Sequence, residues 1–372
     1  MKELRKGYTT GTCAAAASKA AVLAALGQRR NSVWVLLPSG RSLAIPIEEA
    51  GFNKGRGFGA VRKYSGDDPD VTDGILIYSR ARLVPEEEPS VKVTGGEGVG
   101  RVTKAGLACP PGEAAINPVP MEMIKRETLE GAREGGFKGA VHIEIIIPEG
   151  RRLAGKTFNP QLGIEGGLSI LGTSGIVEPM SEDAIRGTIK AEISVEAASG
   201  AEYILIAPGN YGETFIKEKM NLGDVYCVKC SNFVGDTIHM AAEMGFKGML
   251  FTAHIGKLSK VAAGAMNTHS KYGDGRMEEM AAAARAAGAG EGVLEDIRKE
   301  VTTDGAVEIL KRHGCLQKAM DIIAERAAEN MRKEAGPSME IAVVMFSNRY
   351  GLLAETENAG AMGEKLRGKG RK

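Results

Sequence analysis

The chain has 372 residues, of which 43% are hydrophobic and 26% charged, and its formal net charge is +1. That length and apolar content can build two domains, each with its own core, and exclude a disordered chain. A balance this close to neutral excludes a global basic field for nucleic acid, so attraction for an acidic ligand must be local.

The opening MKELRKGYTTGT has no charged stretch running directly into a long apolar one, so no secretory signal is read. The next segment, CAAAASKAAVLAAL from Cys13, is too short and small-sided to span a bilayer. A cytoplasmic protein without membrane partners is therefore expected. Residues 12–26 should form an Ala-rich helix capped by Thr12. Short β-like runs follow at Val33–Leu37, Leu43–Ile47, Ile75–Leu83 and Val91–Thr94, separated by Gly, Pro and Asp as in a mixed sheet with hairpins. Pro120–Gly135 reads as helix and Val141–Ile147 as strand. Residues 148–181 are Gly-rich and weakly periodic, and so long an irregular segment is often functional. A helix capped by Ser181 comes next.

From Ser199 the pattern alternates: strands Glu202–Ala207, Asp224–Cys230 and Lys247–His254, and helices Glu213–Met220, Asp236–Gly245 and Leu258–Met266. That alternation predicts βαβ crossovers and a parallel sheet. Met277–Ala335 should be mostly helical, broken at 288–292, and Met339–Phe346 should be a further buried strand. The expected architecture is a mixed α+β domain over 1–180 with Gly-rich substrate loops, then a Rossmann-like α/β domain over 181–354. A frayed basic tail over 355–372 completes it.

Ligands bind outside the carboxyl ends of parallel strands. Three small, polar, Gly-bearing loops fall there: PGNYG (208–212), SNFVG (231–235) and AHIGK (253–257). Each precedes a helix N-terminus, where free N–H groups favour an acidic ligand. Ordinary β–α turns would look the same, so the functional reading rests on three coinciding. GGEGVG (95–100) reads equally as a glycine turn or as a loop pressed against a flat ligand. The carboxylates of GDDPDVTDG (66–74) do not match an EF-hand. They read as a solvated turn or as a pair for proton handling. The five Cys do not form a disulfide framework, and Cys227-x-x-Cys230 lies inside a strand, where redox chemistry is disfavoured.

Eight motifs occur in order: GYTTGTCAAAASKAA (7–21), DDPDVTDG (67–74), GEGVGRVTKAGL (96–107), GEAAINPVP (112–120), KTFNPQLGIEGGLSILGTSGIVEPMSE (156–182), GNYG (209–212), KCSNFVGD (229–236) and HIGKLSKVAAGAMNTHS (254–270). Together they resemble the cobalt-precorrin-5B C(1)-methyltransferase family, the CbiD family. Residues after Ser270 carry less of the likeness. The resemblance implies an S-adenosylmethionine-dependent C-methyltransferase of anaerobic cobalamin synthesis. Its small-molecule acceptor is a cobalt corrinoid, so cobalt belongs to the substrate and no protein-bound metal is expected. We place the donor at Gly209, Asn210, Tyr211, Gly212, Ser231 and Asn232. Candidate substrate contacts are Thr9, Thr10, Lys104, Lys156, Asn159 and Lys257, with Arg152 and Arg276 as further cations. Asp70 and His254 are the acid/base candidates. A redox enzyme built on the CxxC, a non-catalytic tetrapyrrole carrier and a homo-oligomer stay open.

Overall fold

Small side chains organise the first unit, which ends at Glu182. In the computed structural model, which describes residues 4–368, Gly7–Tyr8 (β1) leads into the helix Thr10–Ala25 (α1), buried from Thr10 to Ala24. The cap expected at Thr12 is Thr9 instead: its Oγ1 accepts the Thr12 N–H at 3.2 Å, which starts the helix earlier. Strands Ser32–Leu36 (β2) and Ser42–Pro46 (β3) form a hairpin. Next come Glu49–Asn53 (β4), Arg56–Arg62 (β5), Leu76–Val84 (β6), Ser90–Gly95 (β7), Arg101–Val102 (β8), helix Pro118–Glu134 (α2) and Ala140–Ile146 (β9). Five of these strands form a mixed sheet in the order β4-β5-β6-β9-β7, in which only β7 and β9 pair in parallel. Helix Gly150–Ala154 (α3) and the two-residue strands Ile164–Glu165 (β10) and Ile176–Val177 (β11) close the unit. β10 pairs with β8, and β11 with β1.

Strands β4 and β5 are absent from the sequence expectation because glycines interrupt their pattern. A Cβ on Gly57 would lie 2.1 Å from Ala21 O, and one on Gly59 would lie 2.6 Å from Ala17 O. The glycines therefore let α1 settle directly on the sheet. Lys19 of α1 is buried and pairs with Glu134 of α2 at 2.6 Å, while Glu127 accepts the Leu36 N–H at 2.9 Å.

The second unit starts at Asp183. Its elements are Glu182–Ala198 (α4, whose first residue closes the first unit), Tyr203–Ala207 (β12), Asn210–Lys219 (α5), Cys227–Lys229 (β13), Val234–Glu243 (α6), Gly248–His254 (β14) and Ile255–Ala262 (α7). Helices Arg276–Ala287 (α8), Glu291–Lys299 (α9), Thr303–Arg312 (α10) and Leu316–Ala335 (α11) follow, then Glu340–Ser347 (β15), Gly351–Glu355 (β16) and Ala359–Arg367 (α12). The sheet order is β13-β12-β14-β15-β16, parallel except for β16. Alternate residues of the buried strands feed two cores. Ile204, Ile206, Met249, Phe251 and Val343 meet α4, α6, α7, α8 and α11, whereas Leu205, Leu250, Ala342 and Val344 meet α5 and α12.

The expected frayed tail is corrected. Ala359, Met362 and Leu366 are buried, and α12 covers one face of the sheet. Small residues and glycine had hidden that helix. Residues 369–372 of the expected tail lie outside the described residues. No helix among the described residues is long and apolar enough to cross a membrane.

Candidate functional site

The order of the second sheet creates one special position. The chain leaves β12 toward β13 and leaves β14 toward β15, in opposite directions. Helices α5 and α7 therefore start on opposite faces, so the carboxyl ends of β12 and β14 mark the sheet's topological switch point, where open parallel sheets bind ligands.

Three loops meet these carboxyl ends. Gly209 follows β12 and has open space where a Cβ would stand. Asn210, Tyr211 and Gly212 are not loop residues as the sequence suggested; they form the first turn of α5. Gly212 is there for packing, because its Cβ would sit 2.7 Å from Ala207 Cβ. Tyr211 is 71% exposed. Asn210 Oδ1 accepts from Lys229 Nζ at 3.2 Å, and Lys229 also pairs with Glu213 at 2.7 Å. After β13, Ser231 takes a positive φ of 52°, and the turn is held by Lys257. Its Nζ donates to Ser231 O at 3.1 Å, Asn232 Oδ1 at 2.5 Å and Thr268 Oγ1 at 3.3 Å. Burial pulls the Lys257 pKa down from its ordinary value.

His254 ends β14 and caps α7. Its Nδ1 accepts the Gly256 N–H at 3.1 Å, which leaves the proton of the neutral ring on Nε2. Burial lowers its pKa below the usual histidine value, against an opposing pull from Asp304. The ring stands edge-on to Phe346, which stacks on Phe215 at 4.4 Å.

In the first unit, hydroxyls and carboxylates mostly hold loops. Thr10 Oγ1 donates to Leu171 O at 3.1 Å and accepts from Leu171 N at 2.8 Å, and Thr12 Oγ1 donates to Gly175 O at 2.7 Å. Asn159 is buried, donates to Gly167 O at 3.1 Å and accepts from Ser169 Oγ at 3.1 Å. Lys104 and Lys156 are exposed, and Lys104 Nζ donates to Gln161 O at 3.3 Å. The carboxylates of the 67–73 stretch each have a task. Asp67 grips Arg5 through two hydrogen bonds from its side chain, Asp68 accepts from Met180 N, and Asp73 accepts from Ser65 N. Asp70 meets the buried Lys63 at 2.7 Å and takes two bonds from Thr72. Burial alone would raise the Asp70 pKa, but Lys63 and those bonds bring it below the usual carboxylate range. Asp70 is therefore a weak base.

Residues 1–179 match the family model CbiD, and residues 267–357 match the model of the CbiD C-terminal domain. A relative from Ruminiclostridium cellulolyticum named cobalt-precorrin-5B C(1)-methyltransferase is 45% identical over 93% of this chain and 90% of its own length. This chain belongs to the CbiD family. Relatives of the same name from Alkaliphilus metalliredigens and Treponema denticola are 40% and 43% identical, covering 99% and 95% of this chain and 97% of their own lengths in both cases. A crystal structure described as cobalamin biosynthesis protein (cbiD) from Archaeoglobus fulgidus aligns over 76% of this chain and 84% of its own at 29% identity. Its TM-score of 0.39 is too low to carry an argument about the fold.

The CbiD likeness extends past Ser270, where the sequence motifs are less diagnostic. Within the CbiD motifs, much of what looked like ligand chemistry is packing. A Cβ on Gly98 would stand 1.8 Å from Ile147 O, and those on Gly150 and Gly167 would stand 2.0 and 2.2 Å from Gly98 O. Three loops thus cross backbone to backbone, which gives Gly98 of GGEGVG a packing role. Burial pushes the Cys230 thiol up to about 12 and raises that of Cys227 too, so little thiolate exists for redox chemistry. Sequence reasoning missed Lys63, whose burial beside Asp70 leaves no sequence signal. It also missed Glu192, a carboxyl whose pKa burial raises and which accepts the Lys229 N–H at 3.3 Å. Its spacing from Ile189 and Ile193 on one helix face was the available clue. Among the described residues, no group of three or more His, Cys, Asp or Glu could hold a metal ion.

Proposed function

We propose that the chain transfers a methyl group from S-adenosylmethionine to carbon 1 of cobalt-precorrin-5B, forming cobalt-precorrin-6A in anaerobic cobalamin synthesis. The observation that carries this reading is 40–45% identity, over nearly the whole length, to relatives bearing that enzyme name. We read the second unit as Rossmann-like, with the donor at the switch point between β12 and β14.

The residues present fit such a donor. Gly209 leaves open space, α5 offers its first amides beside it, and the Tyr211 ring is exposed. Bound there, the donor supplies an electrophilic methyl on a sulfonium. Gly209, Asn210 and Tyr211 hold it from one side, with Gly212 letting α5 start close against β12, and the Ser231–Asn232 turn, fixed by Lys257, from another. His254 presents Nε2–H as a hydrogen-bond donor to the acceptor ring. Within the first unit, Lys104 and Lys156 are exposed cations suited to a carboxylate, while Thr9, Thr10 and Asn159 hold that unit's loops. Asp70 serves by anchoring Lys63. The cobalt arrives inside the substrate. Holding two reactants in line can supply roughly 7–11 kcal/mol of the barrier, so positioning is the protein's main task.

The test is transfer of an isotope-labelled methyl from S-adenosylmethionine to cobalt-precorrin-5B, followed by mass spectrometry. Corrinoid binding without donor consumption would favour the carrier alternative. For His254, the neutral ring is the working form. Activity of the parent chain should hold at neutral pH and fall only below about pH 6.5, as His254 protonates and releases Gly256. His254→Gln should lower kcat on the order of 10²-fold, as loss of a preorganised donor does, and remove that acid limb. An unchanged profile would take His254 out of the mechanism.

A further inference from the structure

We infer that the hollow between α5, β16 and α12 of the second unit binds a small carboxylic acid with an apolar body. The inference goes beyond the methyltransferase reading: none of the residues placed at the donor, nor His254, lines this hollow.

The hollow exists because α12 carries Ala359, Gly360 and Gly363 where the sheet and α5 present large side chains. It holds about 250 Å³. Its apolar walls are Phe215, Met220, Leu222, Val344 and Leu352. Gly363 is buried, yet a Cβ built there would meet nothing nearer than Leu222 Cδ1 at 4.0 Å. Leu352 is 53% exposed, so one apolar wall stands open to an incoming ligand. A cavity of about 150 Å³ is enough to take up benzene. Pockets for drug-sized ligands run from roughly 300 to 1,000 Å³. This volume therefore suits one small aromatic or branched aliphatic group.

A gap left by packing alone would need no charge around it. Lys219 and Arg367 line this one, against a single carboxylate, Glu355. The independent observation is Arg367. Its Nε is buried and has no hydrogen-bond partner among the described residues. Buried polar atoms are rarely left so. The guanidinium is tethered through Nη2, which donates to Glu364 Oε1 at 2.5 Å, and Glu364 is 74% exposed. Exposed pairs of this kind hold weakly, so a modest turn of the guanidinium brings the Nε–H to an oxygen in the hollow. A carboxylate matches the guanidinium fork, and Lys219 adds a second positive charge. The apolar body of the ligand then lies among Phe215, Met220 and Leu352.

Phenylacetate and its uncharged counterpart phenylethanol would be titrated into the full chain. The methyl NMR signal of Met220, assigned with Met220→Leu, reports occupancy of this hollow. Phenylacetate should bind the parent with a Kd on the order of 1 mM, and phenylethanol about tenfold more weakly. Arg367→Gln should bind phenylacetate about tenfold more weakly and phenylethanol as the parent does. Gly363→Leu fills the hollow and should lose both compounds. Leu is the better helix former, so that variant should melt at or above the parent temperature. If it does not fold, Arg367→Gln carries the test. A Met220 signal that phenylacetate leaves unmoved at tens of millimolar overturns the inference. So does equal affinity for the acid and the alcohol, or an Arg367→Gln variant that binds the acid as tightly as the parent. None of these readouts needs methyl transfer, so failure of the methyltransferase reading and failure of this site are told apart.

Discussion

Asp70 illustrates how a side chain's partner decides its chemistry. Lys63 is almost fully buried, and its ammonium has Ser65 Oγ at 2.6 Å and Asp70 Oδ2 at 2.7 Å. A buried cation without a counter-charge is costly, so Asp70→Asn should destabilise the first unit by about 2–3 kcal/mol. The pH dependence follows from the sign of the shift. Asp70 has a lower pKa folded than unfolded, so its contribution is present above the unfolded carboxylate range and is lost as pH falls through the folded value. Urea denaturation at pH 7 and below about pH 4 checks both points. The parent should lose this increment in acid, and the variant should have none to lose. Equal stability of parent and variant at pH 7 would mean that the pair contributes nothing.

At the scale of elements, the central motif is a crossing of loops. Gly98 has a φ of +72° and lies against Ile147 O, Gly150 and Gly167. A side chain there must strain the backbone and force the loops apart. Gly98→Ala should cost about 3 kcal/mol or more, whereas Gly166→Ala should cost only about 1–2 kcal/mol. Gly166 has a similar φ of +76° but open space around it, so the difference isolates the clash. Chemical denaturation of the two variants side by side measures it. Equal losses would show that conformation alone, not the crossing, requires glycine at 98. The α1–β5 approach follows the same logic, with Gly57 and Gly59 admitting the Ala face of the helix.

At the scale of the molecule, the second unit is finished by its last helix. α12 buries Met362 and Leu366 against Leu205, Leu250, Ala342 and Val344. Those two side chains alone remove apolar surface worth about 3–6 kcal/mol from water. A chain ending at Asn358 should therefore lose hydrogen-exchange protection in β12, β14 and β15, while the sheet of the first unit keeps its own. Unaltered protection in those strands would show α12 to be dispensable. Its composition, AGAMGEKLR, is too small-sided and charged to announce this role.

The parallel strands of the second unit were legible because βαβ segments repeat a local pattern of apolar run, small polar turn and helix. The turn residues around Gly209, Ser231 and His254 were legible for the same reason. The family was legible because its motifs are specific strings of residues. Packing partners were not, since they depend on contacts between residues far apart in the chain. That Gly98 lies against Ile147 was visible only when distant segments came together, and that Lys63 is buried against Asp70 was visible only in the fold around that turn.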